Sequence, residues 1–143
     1  MKLEPLRFEH LQQMAEIESE AFDMPWTVNM FIPELSAPEA TYLVGTREGE
    51  VLCYGGFHSV LDEAHITNIA VKSGERGRGL GKMLMSALLE KAKEKGARTV
   101  TLEVRSDNFP AIGMYTQFGF EVRGIRKKYY GNKFDALIMT LEM

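Results

Sequence analysis

Asn68-Ile69-Ala70-Val71-Lys72-Ser73-Gly74-Glu75-Arg76-Gly77-Arg78-Gly79-Leu80-Gly81-Lys82 runs from the apolar end of a strand, through a glycine-rich turn, into a helix. Beyond it Leu80, Met83, Leu84, Ala87, Leu88 and Ala92 recur at i, i+3, i+4 and i+7, the pattern of an amphipathic helix. Lys91, Lys93 and Lys95 crowd its last turn, where they suit the dipole, and Gly96 supplies the stop. A helix N-terminus offers unpaired N–H groups and positive potential, so it favours an anion. Glycines there permit positive φ and keep side chains away from a bound phosphate. Arg76, Arg78 and Lys82 add charge. A Walker A loop needs glycine where Arg76 stands and Ser or Thr where Met83 stands, so it fails twice. A dinucleotide fingerprint needs glycine in place of Lys82 and a second βα repeat, and has neither. What survives is Arg76-x-x-Gly79-x-Gly81, set against the plain alternative of a glycine-capped surface turn. Its place between an apolar strand and a long helix favours the anion site.

Working outward, residues 1–7 read as a short strand. From Phe8 to Phe22, Leu11, Met14, Ala15, Ile17 and Ala21 fall near helical spacing, which puts Glu16, Glu18 and Glu20 mostly outward. Thr27 is the expected N-cap of a second helix reaching about Leu35, ended or kinked by Pro33. Residues 40–46 and 51–60 read as strands joined by Arg47-Glu48-Gly49-Glu50, and 64–71 as a third. After the glycine-rich turn and its helix come a strand over 98–104, a helix from the cap Asn108 to Gln117, and strands over 120–128 and 133–142 around Gly131-Asn132. The order β-α-α-β-β-β-α-β-α-β-β predicts one α/β domain over residues 1–143, with a mixed sheet between helices.

The chain has 143 residues, 45% apolar and 26% charged, as in a soluble globular domain. A net charge of -3 argues against general nucleic-acid binding, and no apolar run approaches the ~18 residues of a membrane span. Glu4 and Arg7 stand where a signal peptide would be apolar, and Cys53 is the single cysteine, so the expected compartment is the cytoplasm. Cys53 lies mid-strand with no histidine beside it, a core residue rather than a nucleophile. His10, His58 and His65 lack metal-ligand spacing, so no metal is expected. The nine methionines are expected to fill gaps in the core.

Asn68-Ile69-Ala70-Val71, the Arg-x-x-Gly-x-Gly turn and Asn108…Tyr115…Gly119-Phe120 together resemble the GNAT acetyltransferase superfamily along essentially the whole chain. The resemblance implies the GNAT fold, a mixed sheet of about seven strands flanked by four helices, with acetyl-CoA as co-substrate. It assigns the pyrophosphate to Arg76, Gly77, Arg78, Gly79, Leu80, Gly81 and Lys82. It assigns the pantetheine arm to the backbone of Ile69, Ala70 and Val71, with Asn108 and Tyr115 also touching the coenzyme. Lys72-Ser73-Gly74-Glu75 departs from the family, which often has a proline and an aromatic there.

Pro25-Trp26-Thr27, Leu102-Glu103-Val104-Arg105, Ile125-Arg126-Lys127-Lys128-Tyr129-Tyr130 and Asp135-Ala136-Leu137-Ile138-Met139 are similar to the RimI-type branch, which acetylates the N-terminal alanine of a small-subunit ribosomal protein. That implies direct attack in a ternary complex. An α-amine has an ordinary pKa of about 7.7–8.0 against about 10.4 for lysine, so one carboxylate is an adequate base. The resemblance makes Glu103 that base, against an outward residue between Leu102 and Val104. It makes Tyr115 the acid for the departing sulfur, against a ring packed in the core. Trp26, Glu34, Tyr129, Tyr130 and Asp135 would line the acceptor groove. The expected partner is a protein N-terminus, with no direct nucleic acid or membrane, and a monomer or weak homodimer. A small amine such as a polyamine or aminoglycoside is the alternative acceptor, and an acetyl-CoA sensor without transfer is the alternative class.

Overall fold

Strand pairing follows the apolar alternation of the sequence, and of its register shifts the one between Gly56 and Phe57 shapes the cleft. The computed structural model describes residues 1–130 and 134–143, and places seven strands in one sheet. They are β1 (Lys2–Pro5), β2 (Ala40–Arg47), β3 (Glu50–Val60), β4 (Glu63–Val71), β5 (Thr99–Arg105), β6 (Glu121–Tyr130) and β7 (Phe134–Glu142). The spatial order is β1-β2-β3-β4-β5-β7-β6, and β4–β5 is the parallel pair among antiparallel neighbours. Four helices flank it: α1 (Leu11–Ala21), α2 (Val28–Phe31), α3 (Leu80–Glu94) and α4 (Phe109–Gln117). The expected turn at Gly131-Asn132, the strand start at Lys133 and the side chains of Tyr129 and Tyr130 lie outside the described residues.

Each face of the sheet holds a core. On one, Leu84, Met85 and Leu88 of α3 meet Phe57, Leu102 and Phe120; on the other, Leu11, Met14 and Ile17 of α1 and Phe31 of α2 meet Val44 and Tyr54. Each such side chain contributes about 1.5–3 kcal/mol on burial. Gly55 and Gly56 of β3 let both layers close. A Cβ on Gly55 would lie 2.8 Å from Leu88 Cδ1, and one on Gly56 2.4 Å from the Tyr42 ring.

That register shift, between β3 and β4, is a bulge in β4. Phe57 pairs with Ile66 and Gly56 with Asn68, which leaves Thr67 as the extra residue. Before it Ala64 and Ile66 join the α3 core; after it Ile69 and Val71 do, while Ala70 joins the α1–α2 core. A bulge bends its strand and re-aims side chains. Here β4 pairs with β5 only from Glu63↔Thr99 to His65↔Thr101, although β4 runs on to Val71 and β5 to Arg105.

Three expectations need correction. Glu18 is not outward: it is 1% exposed in the α1–α2 core. Pro33 interrupts the second helix as expected: it is α-helical over Val28–Phe31 and continues as a 3₁₀ turn, Ile32–Leu35. Only Met14, Met85 and Met139 are buried methionines, while Met24, Met30 and Met83 are exposed. The expected four-residue hairpin loop shortens to Glu48-Gly49, both at positive φ, the twist that suits a two-residue turn.

Candidate active site

Past His65 and Thr101 the two parallel strands separate, and the β5-facing edge of Ile66–Val71 has no strand partner among the described residues. An unpaired edge presents a row of N–H and C=O groups to anything extended that enters the gap. Ile69, Ala70 and Val71 lie on this edge, and the chain then passes directly into the glycine-rich turn.

Gly77 and Gly79 both adopt φ +80°, and nothing lies within 4 Å of where a Cβ on either would sit. Gly79 is the N-cap of the 15-residue α3 and makes no side-chain cap to its first amides. Arg76 Nε donates to the Val71 carbonyl at 3.2 Å, which folds the turn back on the end of β4. Glu75 lies 3.5 Å from Arg47 and 3.8 Å from Arg78, so part of the local positive charge is balanced. Lys82 is exposed one residue into the helix beyond Gly81. A Cβ on Gly81 would be 3.5 Å from Met114 Sδ, so α4 packs against the start of α3.

On the far side of the gap, Leu102 and Val104 point into the α3 core, which turns Thr101, Glu103 and Arg105 to the α1–α2 face. Glu103 is only 13% exposed and pairs with Arg126 of β6 at 3.3 Å. Asn108 Oδ1 accepts from the Ala111 amide at 3.3 Å, the cap expected of it. Tyr115 is buried, its ring 5.9 Å from that of Phe120. Arg105 joins the surrounding loops: it grips Asp107 at 2.6 and 3.0 Å, reaches Asp23 at 2.7 Å and lies 4.2 Å over the Phe134 ring. Asp135 accepts from the Lys128 amide at 2.9 Å, which ties β6 to β7. Burial pushes the Cys53 thiol up to about 11, consistent with an inert core residue.

The sequence reading missed a buried polar network under this face. Glu18 accepts from the Trp26 amide at 2.9 Å, from Asn68 Nδ2 at 3.3 Å and from the Tyr54 hydroxyl. Glu34 accepts from the Tyr42 hydroxyl and from His58 Nε2, each at 2.7 Å. Tyr42 also meets Thr67 Oγ1 at 3.1 Å. Burial, with the neighbouring carboxylates, holds the Tyr42 and Tyr54 phenols well above their ordinary range. Of the acceptor-groove candidates, Trp26 and Glu34 are thus anchored in this network, and the Trp26 ring lies tilted against Phe31, 5.1 Å between centroids. One signal was available: in α1, Leu11, Met14 and Glu18 share helical spacing, so a carboxylate stood on the apolar stripe. His58 opens onto a groove of about 320 Å³ that His65 and Thr101 also line.

Residues 11–120 match the acetyltransferase (GNAT) family. A Bacillus subtilis (strain 168) protein, provisionally named as a ribosomal protein bS18-alanine N-acetyltransferase, is 46% identical over 136 residues, covering 94% of this chain and 90% of the relative. The ribosomal protein bS18-alanine N-acetyltransferase of Escherichia coli (strain K12) is 34% identical over 128 residues, covering 87% of this chain and 86% of the relative. The crystal structure of the ribosomal-protein-S18-alanine N-acetyltransferase from Escherichia coli superposes with a TM-score of 0.90 at 31% identity, over 99% of this chain and 92% of that one.

Proposed function

The chain belongs to the acetyltransferase (GNAT) family, and on that premise we propose that it moves acetyl from acetyl-CoA to the N-terminal alanine of ribosomal protein bS18. One observation carries the site: the bulged β4 leaves an unpaired edge that ends at the uncapped, side-chain-free start of α3, with Glu103 across the gap. The acceptor reading draws on the relatives that bear that activity in their names and match nearly the full chain.

Acetyl-CoA, when bound, supplies the thioester. The open space at Gly77 and Gly79 fits a phosphate, and the α3 amides with Arg78 and Lys82 would hold it. The backbone of Ile69, Ala70 and Val71 would pair with the pantetheine arm as a strand pairs with an added peptide. Glu103 takes the proton from the acceptor amine, directly or through one water, and its ion pair with Arg126, which reaches it from the β7–β6 side, tethers the carboxylate. Tyr115 of α4 serves the departing sulfur. A thiolate with an ordinary pKa near 8.5 leaves readily, so orientation contributes more than the acid. Trp26 and Asp135 frame the acceptor. The test is release of free coenzyme A on incubation with acetyl-CoA and alanine-starting peptides. Release with these and not with polyamines or aminoglycosides supports the reading; the reverse pattern assigns a small-amine acceptor and overturns it.

A further inference from the structure

We propose that Thr67 offers its hydroxyl oxygen to the acceptor amine as a hydrogen-bond acceptor, held in that orientation by the hydrogen-bonded chain Tyr42–Glu34–His58. The inference rests on the acetyl-transfer reading of the same cleft.

The direction of the chain follows from counting protons. An ionised carboxylate only accepts, so Glu34 Oε1 receives one proton from His58 Nε2 and one from the Tyr42 hydroxyl, each at 2.7 Å. Tyr42 has a single proton, and burial keeps it on the phenol. The 3.1 Å contact between Tyr42 and Thr67 must then run from Thr67 to Tyr42. Thr67 has given away its one proton and keeps lone pairs, so it can satisfy only a donor.

Its place in the sheet says which donor. The bulge turns Thr67 and Asn68, two consecutive polar residues, toward the α1–α2 face, where they meet Tyr42 and Glu18. Thr67 lies two residues beyond His65, the last residue of β4 paired with β5; Glu103 lies two residues beyond its partner, Thr101. Both face the same side, one on each lip of the opening gap. Thr67 is half-buried rather than sealed in the core. An amine between the lips gives one N–H to Thr67 while Glu103 takes the proton that must leave. Tyr42, Glu34 and His58 are positioning residues that fix which way the Thr67 hydroxyl points.

The test compares Thr67→Val, which keeps the branched shape and removes the oxygen, with Thr67→Ser, which restores it. Steady-state kinetics on an alanine-starting peptide are read beside acetyl-CoA affinity by calorimetry and the melting temperature. Loss of one hydrogen bond to a charged or developing-charge group predicts a fall of about tenfold or more in kcat/KM for the peptide in Thr67→Val. Thr67→Ser should recover to within about twofold of the unaltered chain, with acetyl-CoA affinity level across all three. Tyr42→Phe, which lets Thr67 turn and donate, should move peptide kcat/KM in the same direction at constant acetyl-CoA affinity. Unaltered turnover in Thr67→Val overturns the inference alone. So does an equal loss of peptide and acetyl-CoA binding, or a serine variant as impaired as the valine. No turnover by the unaltered chain on any N-terminal peptide overturns the acetyl-transfer reading and the inference with it.

Discussion

Glu18→Gln separates a carboxylate required by the fold from one that merely tolerates burial. Glu18 is 1% exposed and receives three donors: the Trp26 amide, Asn68 Nδ2 and the Tyr54 hydroxyl. Glutamine keeps one oxygen for Trp26 and presents an NH₂ to the other two. Tyr54 can rotate and accept from it, but Asn68 Nδ2 then faces a donor. One buried donor left unpaired costs about 1–3 kcal/mol. At about 2.1 cal/mol/K per residue, a chain of 143 residues has an unfolding entropy of roughly 0.3 kcal/mol/K, so the melting temperature should fall by about 3–10 °C. Glu18→Ala removes the acceptor of all three donors and opens a cavity, so its melting temperature should fall further than that of Glu18→Gln. Calorimetric melts at neutral pH measure both. Trp26 is the single tryptophan, so its emission should shift to the red as its amide is released to water. Melting within about 1 °C of the unaltered chain for both variants would refute the network as a structural element.

Glu103→Gln removes the proposed base. An α-amine of pKa about 7.7–8.0 is roughly 10% neutral at pH 7, so turnover should drop by about a hundredfold there and climb with pH. A pH–rate profile parallel to that of the unaltered chain would remove Glu103 from the chemistry. Gly79→Ala puts a Cβ at φ +80° in space that no protein atom occupies. The fold should lose only about 1–2 kcal/mol, whereas acetyl-CoA affinity measured by calorimetry should weaken by about tenfold or more. Equal affinity in the two proteins would contradict a phosphate site at this turn.

Most of the fold was legible because local signals agreed with one another. The i, i+3, i+4 stripe of α3, its lysine-rich end and Gly96 at φ +87° all point to one helix, and Thr27 and Asn108 cap where their chemistry suits a cap. The glycine-rich turn was legible for the same reason, since positive φ at Gly77 and Gly79 is what two glycines there permit. Non-local features were hidden. Nothing in Ile66-Thr67-Asn68 shows an extra residue, because a bulge is defined by the partner strand, here Gly56-Phe57. Glu18 was misread because alternating glutamates in α1 look solvent-facing until Tyr54 and Asn68, 36 and 50 residues away, are brought beneath it. Pro33 was read correctly as an interruption, yet the 3₁₀ turn that carries Glu34 onto Tyr42 depends on the α1–α2 core.

The most direct test gives the chain acetyl-CoA and a peptide that starts with alanine and carries an internal lysine, then locates the acetyl group by fragmentation mass spectrometry. A cleft built to deprotonate an α-amine with one carboxylate predicts a single acetyl group on the alanine nitrogen. Acetyl on the lysine side chain, or a peptide left unmodified while acetyl-CoA is consumed on small amines, would contradict it.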